Sequence, residues 1–241
     1  TVAILGLGGR GRMCYAPYAH MRPDQMKIAA VADIDPEKVG EMASAYAIPP
    51  EGCFGSAEEL LAQPRLADVV FVCTQDRQHF AHTIPALEKG YHVLLEKPIS
   101  PDLGECYRIA EAAHRYGRIV TVCHVLRYAP FFQKIKDIIR SGRLGRIVSI
   151  QQYENVGYWH QAHSFVRGNW RSSKETSPMI LAKSCHDMDM ISWLMDEECV
   201  RLSSFGSLLH FKPDQAPPGA TRRCLDGCAA KETCPYDAEK I

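Results

Sequence analysis

Short runs of consecutive apolar, largely β-branched residues alternate with amphipathic stretches along the first half of the chain. TVAIL (1–5), KIAAVAD (27–33), DVVFVC (68–73), YHVLLE (91–96) and RIVTVC (118–123) have strand length and little polar alternation. Strands of that kind belong to parallel sheets covered on both faces. The segments between them carry helix punctuation. Asp35-Pro36 sets an N-cap before a proline at the first helical position, Ser56 and Glu59 have capping-box spacing, and Ser100-Pro101 repeats the cap-plus-proline device. Gly90, Gly117 and Gly142 fall where C′ glycines end helices. Phe80, Ile84 and Leu87 keep helical spacing, and Pro85 among them predicts a kink or a late start. Strands alternating with helices predict an α/β fold with a doubly wound parallel sheet.

Near residue 124 the pattern changes, which divides the chain into a first domain, 1–124, and a second, 125–241. PFFQKIKDIIRSG reads as an amphipathic helix with Phe131, Ile135 and Ile138 on one stripe. RIVSIQQYENV (146–156) reads as an antiparallel strand with one wetter face, and VRLSSFGSLLHF (200–211) as a further strand. A helix is expected from Ser177-Pro178 to about Met195. Few strands and a loop-like end lead to the expectation that this second domain is incomplete as given.

Composition narrows the function. The chain has 241 residues, with Lys+Arg 28 against Asp+Glu 28 and 46% hydrophobic residues, so it is neither a disordered chain nor one with the basic footprint of a nucleic-acid binder. It holds no run of about 18 apolar residues that could span a membrane, and no leader pattern precedes the first strand. Of ten cysteines, seven are scattered singly, several in apolar runs, as reduced thiols in a cytoplasmic protein would be. Cys224, Cys228 and Cys234 form a looser group without C-x-x-C spacing, and no metal is assigned to them.

The first turn carries candidate chemistry. Gly6-Leu7-Gly8-Gly9-Arg10-Gly11 fits G-x-G-x-x-G directly after a strand and before a helix. In that setting glycines allow a tight turn and close approach of a pyrophosphate to helix N-terminal amides. Asp33 closes the second strand at the distance expected of a ribose-binding acid, while Asp35 is better explained as an N-cap. A carboxylate there repels a 2′-phosphate, which favours NAD over NADP. Glu96-Lys97-Pro98 ends the strand YHVLL at its carboxyl edge, where open α/β sheets bind ligands. Lys97 is placed there to move a proton, Glu96 to orient it and Pro98 to fix the turn.

The glycine loop, Asp33, Thr74 to His79, Glu96-Lys97-Pro98, and His124 with Arg127 together resemble the glucose–fructose oxidoreductase / inositol dehydrogenase / rhizopine-catabolism (Gfo/Idh/MocA) family. The resemblance covers essentially the whole chain and is densest over 1–150. It implies an N-terminal Rossmann domain and a C-terminal α+β domain with an open, mostly antiparallel sheet that supports substrate and often a homo-oligomer, a dimer or tetramer. It also implies hydride transfer between a nicotinamide cofactor and a secondary alcohol of a sugar, cyclitol or sugar derivative. Lys97 falls on the family's motif lysine, and a cis Lys97–Pro98 bond suits such a site. Cofactor contacts are then expected from Gly6, Gly8, Gly9, Arg10, Gly11, Asp33, Thr74, His79, Glu96 and Lys97.

Family members usually carry an aspartate four residues before the histidine of the later helix. Here that position is Ala182, with Lys183 beside it and His186 one turn on. A cation next to His186 favours a neutral imidazole able to take a proton, so Lys97 and His186 are the expected catalytic pair. Asp189 shares the helix face of His186. Substrate contacts are expected from Arg127, Trp170, Arg171, Lys183 and His186, with Lys183 suited to an anionic sugar. Tyr158 and Trp159 suit a sugar pocket and a subunit interface equally. Two other readings stay open: an NAD-dependent glycosidase or lyase that oxidises its sugar transiently, and a non-catalytic nucleotide sensor.

Overall fold

The computed structural model describes residues 1–240. Six strands, β1 (Val2–Leu5), β2 (Ile28–Ala32), β3 (Cys53–Phe54), β4 (Val69–Val72), β5 (His92–Leu95) and β6 (Val120–Val122), form one sheet in the order β3-β2-β1-β4-β5-β6. Every pairing is parallel. The strand order reverses between β1 and β4, and that switch point is where such sheets leave a crevice at their carboxyl ends.

Apolar residues occupy both faces of β1, β2 and β4 because both faces of the sheet's centre are covered. Ala3 and Leu5 of β1 pack with Leu60, Leu87 and Ile109, whereas Val2 and Ile4 pack with Ala16, Ala19 and Met42. The covering helices are α1 (Pro17–Met21), α2 (Pro36–Tyr46), α3 (Ala57–Ala62), α4 (His79–Glu88) and α5 (Leu103–Arg115). A π-helical turn, Gly9–Tyr15, precedes α1.

The expected caps hold in part. Asp35 accepts from the Glu37 amide with Pro36 next to it, and Ser56 accepts from the Glu59 amide. Glu59 reaches back to the amide of Gly55 rather than Ser56, so the capping box is shifted by one residue on its return arm. Ser100 does not cap α5: Asp102 does, accepting from the Glu105 amide, while Ser100 bonds Glu105 and the Asp102 amide. Pro85 sits inside α4, which runs from His79 to Glu88. Strand β3, two residues long, was not expected from its sequence.

The chain divides into two compact units, Thr1–Val125 and Leu126–Ile241. The second contains α6 (Pro130–Arg140), a single turn α7 (Tyr158–His160) that continues into a π-helical turn Gln161–Val166, and α8 (Met179–Met195). Strands expected at 146–156 and 200–211 are not formed; these residues run without ladder partners. A strand exists only by pairing, and no ladder hydrogen bonds are formed at these residues. On α6 the inward stripe is Phe132, Ile135 and Ile139, and Phe131 is exposed. Lys136, buried on the same helix, donates to the carbonyls of Trp193 and Leu194 at the end of α8, where a cation meets the negative end of the helix.

Candidate functional site

The first unit assembles its candidate residues along one row. The ladder continues one residue past each strand: Gly6 N–H donates to Ala32 O, Cys73 N–H to Leu5 O, Glu96 N–H to Val72 O and Cys123 N–H to Leu95 O. Asp33, Gly6, Cys73, Glu96 and Cys123 therefore stand side by side at the carboxyl edge.

Gly6 has φ +88°, and a Cβ there would meet the Cys73 carbonyl oxygen at 2.6 Å. Only glycine satisfies both the turn and this close approach. Asp33 is joined to the loop directly: one carboxylate oxygen accepts from Leu7 N–H at 2.6 Å and the other from Asp35 N–H at 2.9 Å. Gly8, the cap of the π-helical turn, offers no side-chain bond to the amides behind it. A Cβ on Gly8 or Gly9 would meet nothing within 4 Å. An uncapped helix start with open space over its glycines, beside a carboxylate, fits the pyrophosphate and ribose of a dinucleotide.

Several expected roles change once the contacts are seen. The Glu96 carboxylate, 5% exposed, accepts from Arg10 Nε at 2.6 Å, from the Tyr15 hydroxyl and from the Lys97 backbone N–H at 3.1 Å. It thus anchors the glycine loop to the Lys97 peptide. Burial works to raise this carboxyl, but bonds from Tyr15 and Arg10 outweigh it and hold the group below the usual range. His79, expected at the cofactor, is fully buried: one ring nitrogen lies 2.8 Å from the Pro98 carbonyl oxygen and the other 3.1 Å from that of Thr74. Its ring supports the two loops from beneath. The Thr74 hydroxyl lies 2.9 Å from a ring nitrogen of His82. The Lys97–Pro98 peptide is cis.

Sequence reasoning missed Tyr15, Cys73 and Cys123 in this row. Tyr15 meets Glu96, Arg10 and the Cys123 thiol, and burial, first, then those bonds push its hydroxyl far above the ordinary phenol value. Burial likewise pushes Cys123 from 9.0 to about 11 and Cys73 well above 9.0. The signal available for the two cysteines was positional, since each directly follows the last residue of a strand; Tyr15 carried no such signal.

The second unit groups the other candidates. Arg127 donates to both carboxylate oxygens of Asp189, at 2.8 and 2.7 Å, and lies 5.8 Å over the Trp193 ring. The fork expected to hold substrate is therefore engaged by a carboxylate of α8, and Asp189 belongs with Arg127. Trp170 packs on Phe165 at 6.4 Å between centroids, and Lys183 lies 6.0 Å over the same ring. Phe165, which the sequence did not single out, joins the two. Arg171 is exposed and paired with Glu175 at 3.2 Å. Ala182 is buried on α8, one turn before His186.

All ten cysteines are free thiols. Cys224, Cys228 and Cys234 line one cavity of about 820 Å³ in the second unit. Among the described residues no three His, Cys, Asp or Glu side chains are grouped as a metal site, and no helix is long and apolar enough to cross a membrane.

Residues 1–124 match the family model of the GFO_IDH_MocA oxidoreductases, described as having an NAD-binding Rossmann fold, and residues 132–222 match the GFO/IDH/MocA C-terminal domain. The chain belongs to this family, as its motifs indicated. It is 27% identical to YteT of Bacillus subtilis over 98% of this chain and 56% of that one. It is 30% identical to inositol 2-dehydrogenase 4 of Saccharopolyspora erythraea over 83% of this chain and 56% of that one. The WlbA dehydrogenase of Bordetella pertussis, solved with NADH and UDP-GlcNAcA, shares the fold with a TM-score of 0.67, 23% identity, 80% of this chain and 57% of that one covered. The chain spans about half the length of the curated relatives it matches.

Proposed function

We propose that this chain carries out hydride transfer between NAD and a secondary alcohol of a sugar, cyclitol or sugar derivative. The observation that carries the reading is the row at the sheet edge, which sets an open glycine loop, Asp33 and the Glu96-Lys97-Pro98 turn at the carboxyl ends of β1, β2 and β5 of one sheet. When bound, the nicotinamide supplies the hydride acceptor. Gly8, Gly9 and the following amides would take the pyrophosphate, and Asp33 the adenosine ribose. A carboxylate already oriented by Leu7 and Asp35 repels a 2′-phosphate, which supports NAD over NADP.

Lys97 is the proposed base for the alcohol proton, with its backbone held by Glu96 and the Pro98 carbonyl held by His79. In the second unit His186 is the proposed further proton-handling group, and Lys183 with Trp170 across Phe165 offers a cation and flat rings to a sugar. A dimer or tetramer and a cytoplasmic setting suit the family resemblance and the free thiols.

Turnover of a panel of sugars, cyclitols and their acids, followed at the reduced-nicotinamide absorbance band, tests the reading. Lys97→Ala is expected to abolish turnover while NAD still binds; wild-type rates in that variant would end it. Ala182 in place of the family's usual aspartate favours one alternative, transient oxidation in a glycosidase or lyase. That reading predicts product without added NAD and no net NADH.

A further inference from the structure

We propose that Tyr15 is a positioning residue of the dinucleotide site. With Arg10 and Glu96 it closes a hydrogen-bonded ring that ties the glycine loop to the peptide of Lys97. Arg10 Nε donates to Glu96 Oε1 at 2.6 Å, Arg10 Nη2 donates to the Tyr15 hydroxyl at 2.7 Å, and that hydroxyl donates to the same Oε1. The other oxygen, Oε2, accepts from Lys97 N–H at 3.1 Å. The ring bridges residues 86 apart in sequence and passes across the end of β4, the strand between β1 and β5.

The local backbone explains why Tyr15 can do this. Gly9–Tyr15 is a π-helical turn, in which residues five apart share a side, and Arg10 and Tyr15 are five apart. The Ala16 amide closes that spacing on the Gly11 carbonyl at 3.0 Å. The Arg10 guanidinium consequently lies 5.0 Å over the Tyr15 ring and donates to Glu96. An exposed ion pair across this span would be screened and weak. This carboxylate is 5% exposed, so each donor it loses leaves a buried charge short of a partner. Displacing the loop therefore moves the carboxylate, and with it the amide of Lys97. Tyr15 acts through Arg10 and Glu96 and is not assigned a contact with the cofactor.

The proposal rests on the reading that NAD binds the glycine loop. Tyr15→Phe, Glu96→Gln and the double variant are compared with wild type by calorimetric titration with NAD and NADH, by thermal unfolding without ligand, and by hydrogen exchange at the Lys97 amide. Tyr15→Phe is expected to weaken NAD binding roughly tenfold, the scale of one bond to a charged group. The Lys97 amide should exchange faster in that variant. The double variant should bind no more weakly than Glu96→Gln alone, because members of one ring are not additive. Should Tyr15→Phe fail to fold, Arg10→Lys, which keeps the charge but loses the fork, is expected to show the same weakening. Wild-type NAD affinity in Tyr15→Phe, independent effects of the two substitutions, or a fall in melting temperature without a change in affinity or exchange would overturn the proposal alone. A wild-type protein that binds neither NAD nor NADH would remove the dinucleotide reading and this proposal together.

Discussion

Gly8 and Gly11 do opposite work in the loop. A Cβ on Gly11 would lie 2.2 Å from the Gly6 carbonyl oxygen and 3.1 Å from the Ile4 side chain, whereas one on Gly8 would meet no protein atom within 4 Å. Gly11→Ala is expected to cost about 1–3 kcal/mol of stability, seen as an earlier denaturation midpoint. Gly8→Ala should leave that midpoint within error and, on the proposed function, weaken NAD binding by roughly tenfold or more, since the new methyl would occupy the open side proposed for the pyrophosphate. Equal effects of the two substitutions on stability would contradict this division. The thiols beside the loop give a pH dependence. Cys123 titrates at about 11 in the fold against an ordinary 9.0, because its thiolate would be buried, first, and would face Glu96. Its folded value is raised, so its contribution to stability is complete below pH 9 and is lost as pH rises from 9 towards 11. Cys123→Ser, with an alcohol that does not titrate there, should flatten the decline in urea midpoint across that window. The turn at Gly6 and the strand-end positions of Asp33 and Lys97 were legible because each carries a motif. Tyr15 and His79 were not, because their roles depend on partners 81 and 19 residues away, set by strand order.

At the scale of elements, the five longer strands were legible from unbroken apolar runs, which only a sheet covered on both faces explains. β3 escaped because two residues, Cys53 and Phe54, carry no period. The start of α5 was misplaced for a physical reason: Ser100 and Asp102 are both capping residues, and the sequence alone does not say which carbonyl begins the helix. The structure chooses Asp102, whose carboxylate accepts from the Glu105 amide at 3.0 Å. Asp102→Ala is expected to cost about 1 kcal/mol, measured by chemical denaturation, with Asp102→Asn recovering most of it. A loss below a few tenths of a kcal/mol in Asp102→Ala would show that another group caps α5. The segments 146–156 and 200–211 read as strands from their apolar content and form no ladder, because pattern predicts a face without supplying the second strand.

Buried apolar packing is unevenly distributed over the described residues, and this sets an expectation for each unit on its own. Among the described residues, two clusters of buried apolar side chains lie in the first unit, with Val120 the last residue to pack against either, while the second buries Ala182, Met190 and Leu194 along α8. The sheet is complete at Val122, and Asp33, the glycine loop, the Tyr15 ring and Lys97 all precede it. A domain of this size buries roughly two-thirds of the surface it exposes when unfolded, enough to fold alone. In the second unit, by contrast, Val148, Val200 and Phe205 are 89%, 97% and 96% exposed. A fragment of residues 1–125 is therefore expected to unfold in one cooperative transition and to bind NAD within a few-fold of the whole chain, while turning over no substrate. Residues 126–241 on their own are expected to bind an apolar dye and to melt without a sharp transition. The first fragment keeps every group assigned to the dinucleotide, so a large loss of NAD affinity there would mean that residues beyond 125 hold the cofactor. That result would place the determinant of binding outside the row at the sheet edge, against the proposed function.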